Sequence, residues 1–260
     1  MLLITAILWS CAHVSEWTPS VNAMLEVPDE AVFGWRLVPG QEFSYSHTVR
    51  LFRDGQETSR TELWTYLVRE VSPDGVALLQ GRVSGLGVLL SRKAAPVSNW
   101  ELEPLEEKEK ERLGELTAWI SLTDEGQLQS VDGLTWSDAL VHRTLALSFP
   151  RQPLSVGDSW EDPSSLSSFV ELVPPEVAIL PESQSTLLSM NSTGDTVLAA
   201  VETNGQIVAG GEEVPRLTLE ASTVWDLAKG VLSSRRVTVS LSQYGDRFGG
   251  LLMLETERQP

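Results

Sequence analysis

A chain of 260 residues with 42% apolar and 21% charged side chains has the composition of a folded protein with a sizeable core, which excludes wholesale disorder. Its 36 acidic residues outnumber 19 basic ones and leave a net charge of −17. With no Lys/Arg cluster to offset it, that field repels nucleic acid and anionic lipid surfaces; its plain meaning is solubility, its sharper one a cationic partner.

In chain order, Met1 to Trp9 form an apolar run too short to span a bilayer as a helix, as in the h-region of a secretory signal. Leu8-Trp9-Ser10-Cys11 follows. Cys11 is the single cysteine, so an intramolecular disulfide and a Cys-rich zinc site are both excluded. The segment resembles the lipobox of bacterial lipoproteins, in which a small residue precedes the cysteine that is acylated; the bulky Trp9 departs from that pattern. The resemblance implies a signal and lipobox over 1–11, lipidation at Cys11 and a tether over 12–32 containing Pro19 and Pro28. It also implies a lipid-anchored place in a bacterial cell envelope, at an outer membrane facing the periplasm or the cell surface. The alternative is an incidental thiol near a buried strand.

From Phe33 the chain reads as β structure. Phe43, Tyr45, His47, Val49 and Leu51 alternate with Glu42, Ser44, Ser46, Thr48 and Arg50, which gives a strand with one apolar face. Asp54-Gly55 predicts a hairpin turn, and Trp64, Tyr66 and Val68 share one face of the return strand. Ser72-Pro73-Asp74-Gly75 predicts another turn, followed by a strand over 76–83. The charge run over 101–115 breaks the rhythm and predicts a solvated loop or a short surface helix striped by Leu105, Leu113 and Leu116. A hairpin around Asp124-Glu125-Gly126 completes a first β unit over 33–135.

Leu140, Thr144 and Leu147 lie at helical spacing, with Ser137 or Asp138 as cap and Pro150 as stop, predicting a connecting helix over 136–150. A second β unit over 151–260 opens at Gly157 and Trp160. It continues with a proline- and serine-bearing loop over 162–181 and strands over 186–201, 217–224, 231–242 and 251–256, with bends at Gly205 and Gly210-Gly211.

Three signals recur in the same order in both units. Leu37–Phe43 answers to Leu154–Trp160, Val71–Leu79 to Met190–Leu198, and Ile120–Ser130 to Val224–Ser234, for which a duplicated β unit is the economical account. This paired signature of strand starts, Asp-Gly turns and hairpins resembles a group of uncharacterised bacterial envelope lipoproteins, similar in plan to the lipoprotein-localisation-factor class. The resemblance covers residues 35–257 and implies a mainly β fold: two similar antiparallel curved-sheet, or half-barrel, units with one or two short helices. It also implies a concave apolar surface able to hold acyl chains.

Catalytic constellations do not emerge. His13, His47 and His142 lack zinc-ligand spacing, and neither a nucleophile elbow nor a P-loop occurs, so no metal and no cofactor is expected. Glu161-Asp162, Glu212-Glu213 and Asp124-Glu125 read as exposed turn acids. Of nine tryptophans, Trp64, Trp119, Trp160 and Trp225 read as core, whereas Trp35, Trp100 and Trp136 are candidates for a ligand or partner surface. The expectation is a non-catalytic envelope lipoprotein that binds a protein partner or joins an assembly. One alternative is a carrier or sensor of a lipid or other apolar ligand in the concave sheet; the remoter alternative is an acid-dependent hydrolase.

Overall fold

The computed structural model describes residues 26–53, 56–86, 90–92, 107–167, 169–170, 179–193, 195–209, 215–241 and 250–260. The first half supplies β1 (Glu30–Ala31), β2 (Glu42–Arg53), β3 (Gln56–Val71), β4 (Val76–Leu86), β5 (Leu90–Arg92), α1 (Glu107–Gly114), β6 (Thr117–Thr123) and β7 (Leu128–Asp132). A connecting stretch, 133–170, holds α2 (Trp136–Ala139), a 3-10 turn (Leu140–Leu145), β8 (Leu154–Ser155), β9 (Ser159–Glu161) and α3 (Pro163–Ser167). Then come β10 (Ile179–Thr193), β11 (Thr196–Ala209), β12 (Pro215–Asp226), β13 (Val231–Leu241) and β14 (Gly250–Arg258).

The protein is mainly β, built on one large curved antiparallel sheet in the order β7-β6-β4-β3-β2-β14-β13-β12-β11-β10-β9. β5 carries on the β4 side of β3 beyond the end of β4, and β1 pairs with β8 in a separate two-stranded ladder. The chain walks from β2 out to one edge at β7, crosses over, restarts at the other edge with β9 and walks inward to β14. There Leu254 sits opposite Val49 and Thr256 opposite His47, so the first and last long strands join the two halves at the centre. Curvature follows from who touches whom: the 3-10 turn meets β7 at one edge as well as β2, β13 and β14 in the middle, which a flat sheet could not offer.

Each recurring sequence signal occupies the same station in its half. The turns before β2 and β9, the hairpins β3–β4 and β10–β11, and the hairpins β6–β7 and β12–β13 hold the matched segments. Both halves contribute strands to one large sheet, joined where β2 pairs with β14.

Local chemistry explains the turns. Ser72 Oγ accepts from the Val76 N–H at 3.1 Å, and Gly75 takes φ +80°. At Gly126, φ +87°, an added Cβ would lie 1.8 Å from the Leu147 carbonyl oxygen, so the β6–β7 turn is a glycine turn because the connecting stretch runs against it. There Leu147 N–H donates to Gly126 O at 3.0 Å and Phe149 N–H to Glu125 O at 2.8 Å.

Five expectations change. The connecting helix is a single α turn followed by a 3-10 turn, and its cap is Thr135, whose Oγ1 accepts from Asp138 N–H. It stops early because Thr144 Oγ1 donates back to Val141 O at 2.7 Å, while the Arg235 guanidinium takes Thr144 O at 3.3 Å and also Ala146 O. The long loop over 162–181 contains α3, started by Asp162 Oδ1 accepting from Ser165 N–H at 3.2 Å, and yields to β10 at Ile179. The strand expected over 186–201 is two strands, β10 ending at Thr193 and β11 beginning at Thr196. Gly205 is no bend: it lies inside β11 opposite Ser183. Trp119 is 37% exposed, because Ala118, Ile120 and Leu122 take the inward positions of β6. Elsewhere, α1 is a surface helix as expected, though Leu113 is fully buried.

Candidate functional site

The inward face is divided along the strands. At the end bearing the tight turns, Phe33, Trp35, Phe43, Tyr45, Trp64, Tyr66, Phe149, Trp160 and Trp225 form an aromatic core with Leu, Ile and Val between them. The rings meet edge-on or stacked: Trp35–Trp225 at 5.0 Å, Phe149–Trp225 at 4.9 Å, Phe33–Phe149 at 5.1 Å. At the opposite end of the strands the core is aliphatic: Ile207, Leu217, Leu219, Ala221, Val237, Val239, Leu252 and Leu254, covered by Leu140, Leu166 and Phe169.

Between the two runs a row of buried polar side chains. Strand register aligns Glu62 with His47, His47 with Thr256, Thr256 with Arg235 and Arg235 with Thr223; one inward step along β11, Thr203 faces Ser185. Every member is buried. Such a row would be costly if left dry and unpaired. The connecting stretch meets it with its own buried polar groups, Asp138, His142, Thr144, Ser148, Asp162 and Ser165.

On the β10–β13 side Asp162 is the hub, which corrects its reading as an exposed turn acid. Its Oδ1 accepts from Ser148 N–H at 3.0 Å, and its Oδ2 from the hydroxyls of Ser165 at 2.5 Å and Ser185 at 3.0 Å. Ser165 Oγ in turn accepts from Arg235 at 2.6 Å, so a buried cation and a buried anion are bridged by one hydroxyl. Burial pushes the Arg235 guanidinium down to about 10 against the opposing field of Asp162, leaving it charged at neutral pH.

On the β2–β3 side the network is neutral. Tyr66 OH lies 2.8 Å from His47 Nε2 and 2.8 Å from His142 Nδ1; His47 Nδ1 lies 2.8 Å from Thr256 Oγ1, which lies 2.5 Å from Thr144 Oγ1. Burial pushes His47 down to about 3 and His142 well below its ordinary value, with the His47 field lowering the latter and the Asp138 field opposing. Both rings are therefore neutral, each with one N–H. Burial likewise raises Tyr66, which keeps its proton.

Proton counting then fixes the direction of every bond. Thr144 spends its one hydrogen on the Val141 carbonyl, so Thr256 must donate to Thr144 and accept from His47 Nδ1–H. His47 Nε2 is left as an acceptor for the Tyr66 hydroxyl, whose oxygen accepts from His142 Nδ1–H. The chain runs one way from the 3-10 turn through β3, β2 and β14 and back to the same turn. His142 Nε2 carries a bare lone pair that meets no hydrogen-bond partner among the described residues; the ring stands edge-on to Trp64 with centroids 4.5 Å apart.

Beside this chain, Trp64 Nε1 donates to Glu62 Oε2 at 2.6 Å, and Arg60 pairs with Glu62 at 2.5 Å and Asp138 at 3.3 Å. Burial raises Glu62, and Arg60 and Trp64 pull it back. Burial also opposes ionisation of Asp138, but hydrogen bonds from Arg112 at 2.9 Å and Thr135 at 2.7 Å, with the fields of Arg112 and Arg60, hold it below the usual carboxylate range. α1 and α2 are thereby tied to the sheet.

Among the residues singled out from sequence, Trp35 lies in the aromatic core, 5% exposed, against Phe43 and Trp225. Trp136 opens α2. Cys11 and Trp100 lie outside the described residues. The sequence places His47 on the apolar face of its strand and gives neither it nor His142 a metal-ligand spacing, and it does not mark out Arg235 or Thr256. Their signal is a lone polar residue at an inward position of an otherwise apolar strand face. Two surface depressions occur, one of about 310 Å³ lined by Ser46, Ser222, Ser234 and Glu255 together with Arg235 and Thr256 of the polar row, and one of about 740 Å³ around Phe33, Asp74, Asp124 and Arg151. Among the described residues, no set of three His, Cys, Asp or Glu side chains is placed to hold a metal ion.

The class is thus a mainly β protein whose large curved sheet is covered on its inner face by the connecting stretch. No family model and no curated protein matches the chain. Among solved structures, lipovitellin, in a structure concerned with its lipid–protein interactions, superposes over 86% of this chain with a TM-score of 0.52 and 10% identity. The match spans 25% of the lipovitellin chain. At that identity the likeness is one of fold.

Proposed function

We propose that the protein is a non-catalytic binder of an apolar ligand of acyl-chain type, held against the aliphatic end of the sheet beneath the connecting stretch. The observation that carries this is the composition of the aliphatic end: strand residues without an aromatic ring, covered among the described residues by buried Leu140, Leu166 and Phe169, with partly buried Val170 beside them. Displacing that cover forfeits about 1.5–3 kcal/mol for each buried side chain, so roughly 5–9 kcal/mol. A chain of twelve or more methylenes recovers about 0.8 kcal/mol per CH₂, roughly 10 kcal/mol, enough to take its place. The aromatic end offers no such exchange, since Trp64, Tyr45, Tyr66 and Trp225 already fill it. The shared fold with lipovitellin, a protein studied for its lipid interactions, supports the same reading by analogy.

Titration of the full chain with a dansylated fatty acid tests this. Saturable binding is expected, tightened about tenfold or more by Phe169→Ala, which thins the cover. Absence of uptake by both forms removes the proposal. Anchoring at Cys11 in a bacterial envelope belongs to the same proposal, and Cys11→Ala should move the protein from the membrane to the soluble fraction of cells; continued pelleting with membranes removes it.

A further inference from the structure

We propose that His47 and His142 form an acid-sensitive latch, in which proton uptake by the two rings frees the segment 135–146 from the sheet and uncovers the part of the aliphatic end that lies under Leu140. The last step rests on the ligand reading above; the latch itself does not. His47 belongs to the sheet and His142 to the 3-10 turn, and Tyr66 OH joins them at 2.8 Å on either side. Because each bond in the chain has only one allowed direction, a second proton on either ring has nowhere to go. On His142 it would sit at Nε2, buried against Trp64 without an acceptor among the described residues. On His47 it would turn Nε2 into a donor, and the Tyr66 oxygen would then face two N–H groups while its own hydrogen lost its acceptor.

The surroundings add no compensation. His142 faces Tyr66 and Trp64 on β3, Asp138 on α2 and His47 on β2, and Asp138 is already bonded by Arg60 and Arg112. His47 faces Tyr45, Tyr66, Glu62 opposite it on β3 and, across Thr256, the Arg235 cation on β13; Glu62 is already paired with Arg60. Two imidazolium rings would also stand 6.0 Å apart.

Lifting the segment puts both rings in water, where an imidazole takes its proton near pH 6.5. The closed form, with His47 held at about 3, refuses it. The open state therefore binds two more protons, and the closed state loses ground as pH falls below about 6.5, each ring multiplying the open population about tenfold per pH unit. The hinge is at 146–147, because Leu147 and Phe149 remain pinned to the β6–β7 turn.

Amide hydrogen exchange of residues 139–146 in the full chain, corrected for intrinsic chemistry, reads the open population. Between pH 7.5 and 5.5 it is expected to rise about 100-fold in the wild type, about 10-fold in His142→Gln and not at all in His47→Gln/His142→Gln. A flat wild-type profile, or a wild-type slope that survives in the double variant, overturns the latch. If the double variant does not fold, the wild-type ring resonances decide: both histidines stay neutral to below pH 5 while the amides are protected, and a ring titrating near 6.5 in the protected protein overturns the proposal. Opening by acid without uptake of dansylated fatty acid keeps the latch and removes the ligand reading; uptake with opening independent of pH does the reverse.

Discussion

The two ends of the sheet share strands and curvature but differ in how they are filled. At the turn end, short glycine turns hold the strand ends together, and rings from both halves and from the connecting stretch interlock. Phe149 reaches Phe33, Trp160 and Trp225, so residues far apart in sequence depend on one another. At the aliphatic end, strand residues are covered by side chains on a short 3-10 turn, on a five-residue helix and at Phe169 just beyond it. The first is a core of interlocked rings; the second is a strand face under a small aliphatic cover. Rings with fixed outlines specify one packing, whereas aliphatic surface accepts any apolar neighbour of similar volume.

This contrast can be broken experimentally. Trp225→Ala should cost the most, about 3–5 kcal/mol of unfolding free energy in denaturant titration, and added fatty acid should not restore it, because the hole is shaped for an indole. Leu219→Ala should cost somewhat less, about 2–4 kcal/mol, and fatty acid should recover part of the loss by filling the space. Equal recovery at both positions would erase the distinction between the ends. Tyr66→Phe keeps the ring packing and removes only the hydroxyl, orphaning one nitrogen on each histidine; a loss of about 1–3 kcal/mol is expected, with faster exchange over residues 139–146 than over β2. A uniform loss across the chain would deny that the row fastens the connecting stretch.

Much of the fold could be read in advance. The alternation from Phe43 to Leu51, the Ser72–Gly75 turn and the strands near 217–224, 231–242 and 251–256 rest on local chemistry, period two and glycine turns, and they stand in the structure. The connecting helix ends sooner than its spacing predicts because its ending is set by Arg235, some ninety residues away, taking the carbonyls that a longer helix needs. Asp162 looks like a turn acid because it is one locally; four donors from the connecting stretch and β10 bury it. The polar row was harder still. His47, Thr256 and Arg235 are each a single polar residue on an apolar strand face, and only the register of β14 between β2 and β13 sets them side by side.

By itself the sequence determined most of the strands, many of their turns and, outside β6, which strand faces are apolar, because pleat and dihedral preferences act over a few residues. Tertiary structure decided that both halves close into one sheet, that an aromatic and an aliphatic core form on either side of a buried polar row, and that two histidines meet over one tyrosine hydroxyl. Those outcomes depend on pairings between residues as far apart as His47 and Thr256, and register across such separations is fixed only when the whole sheet assembles around the segment it encloses.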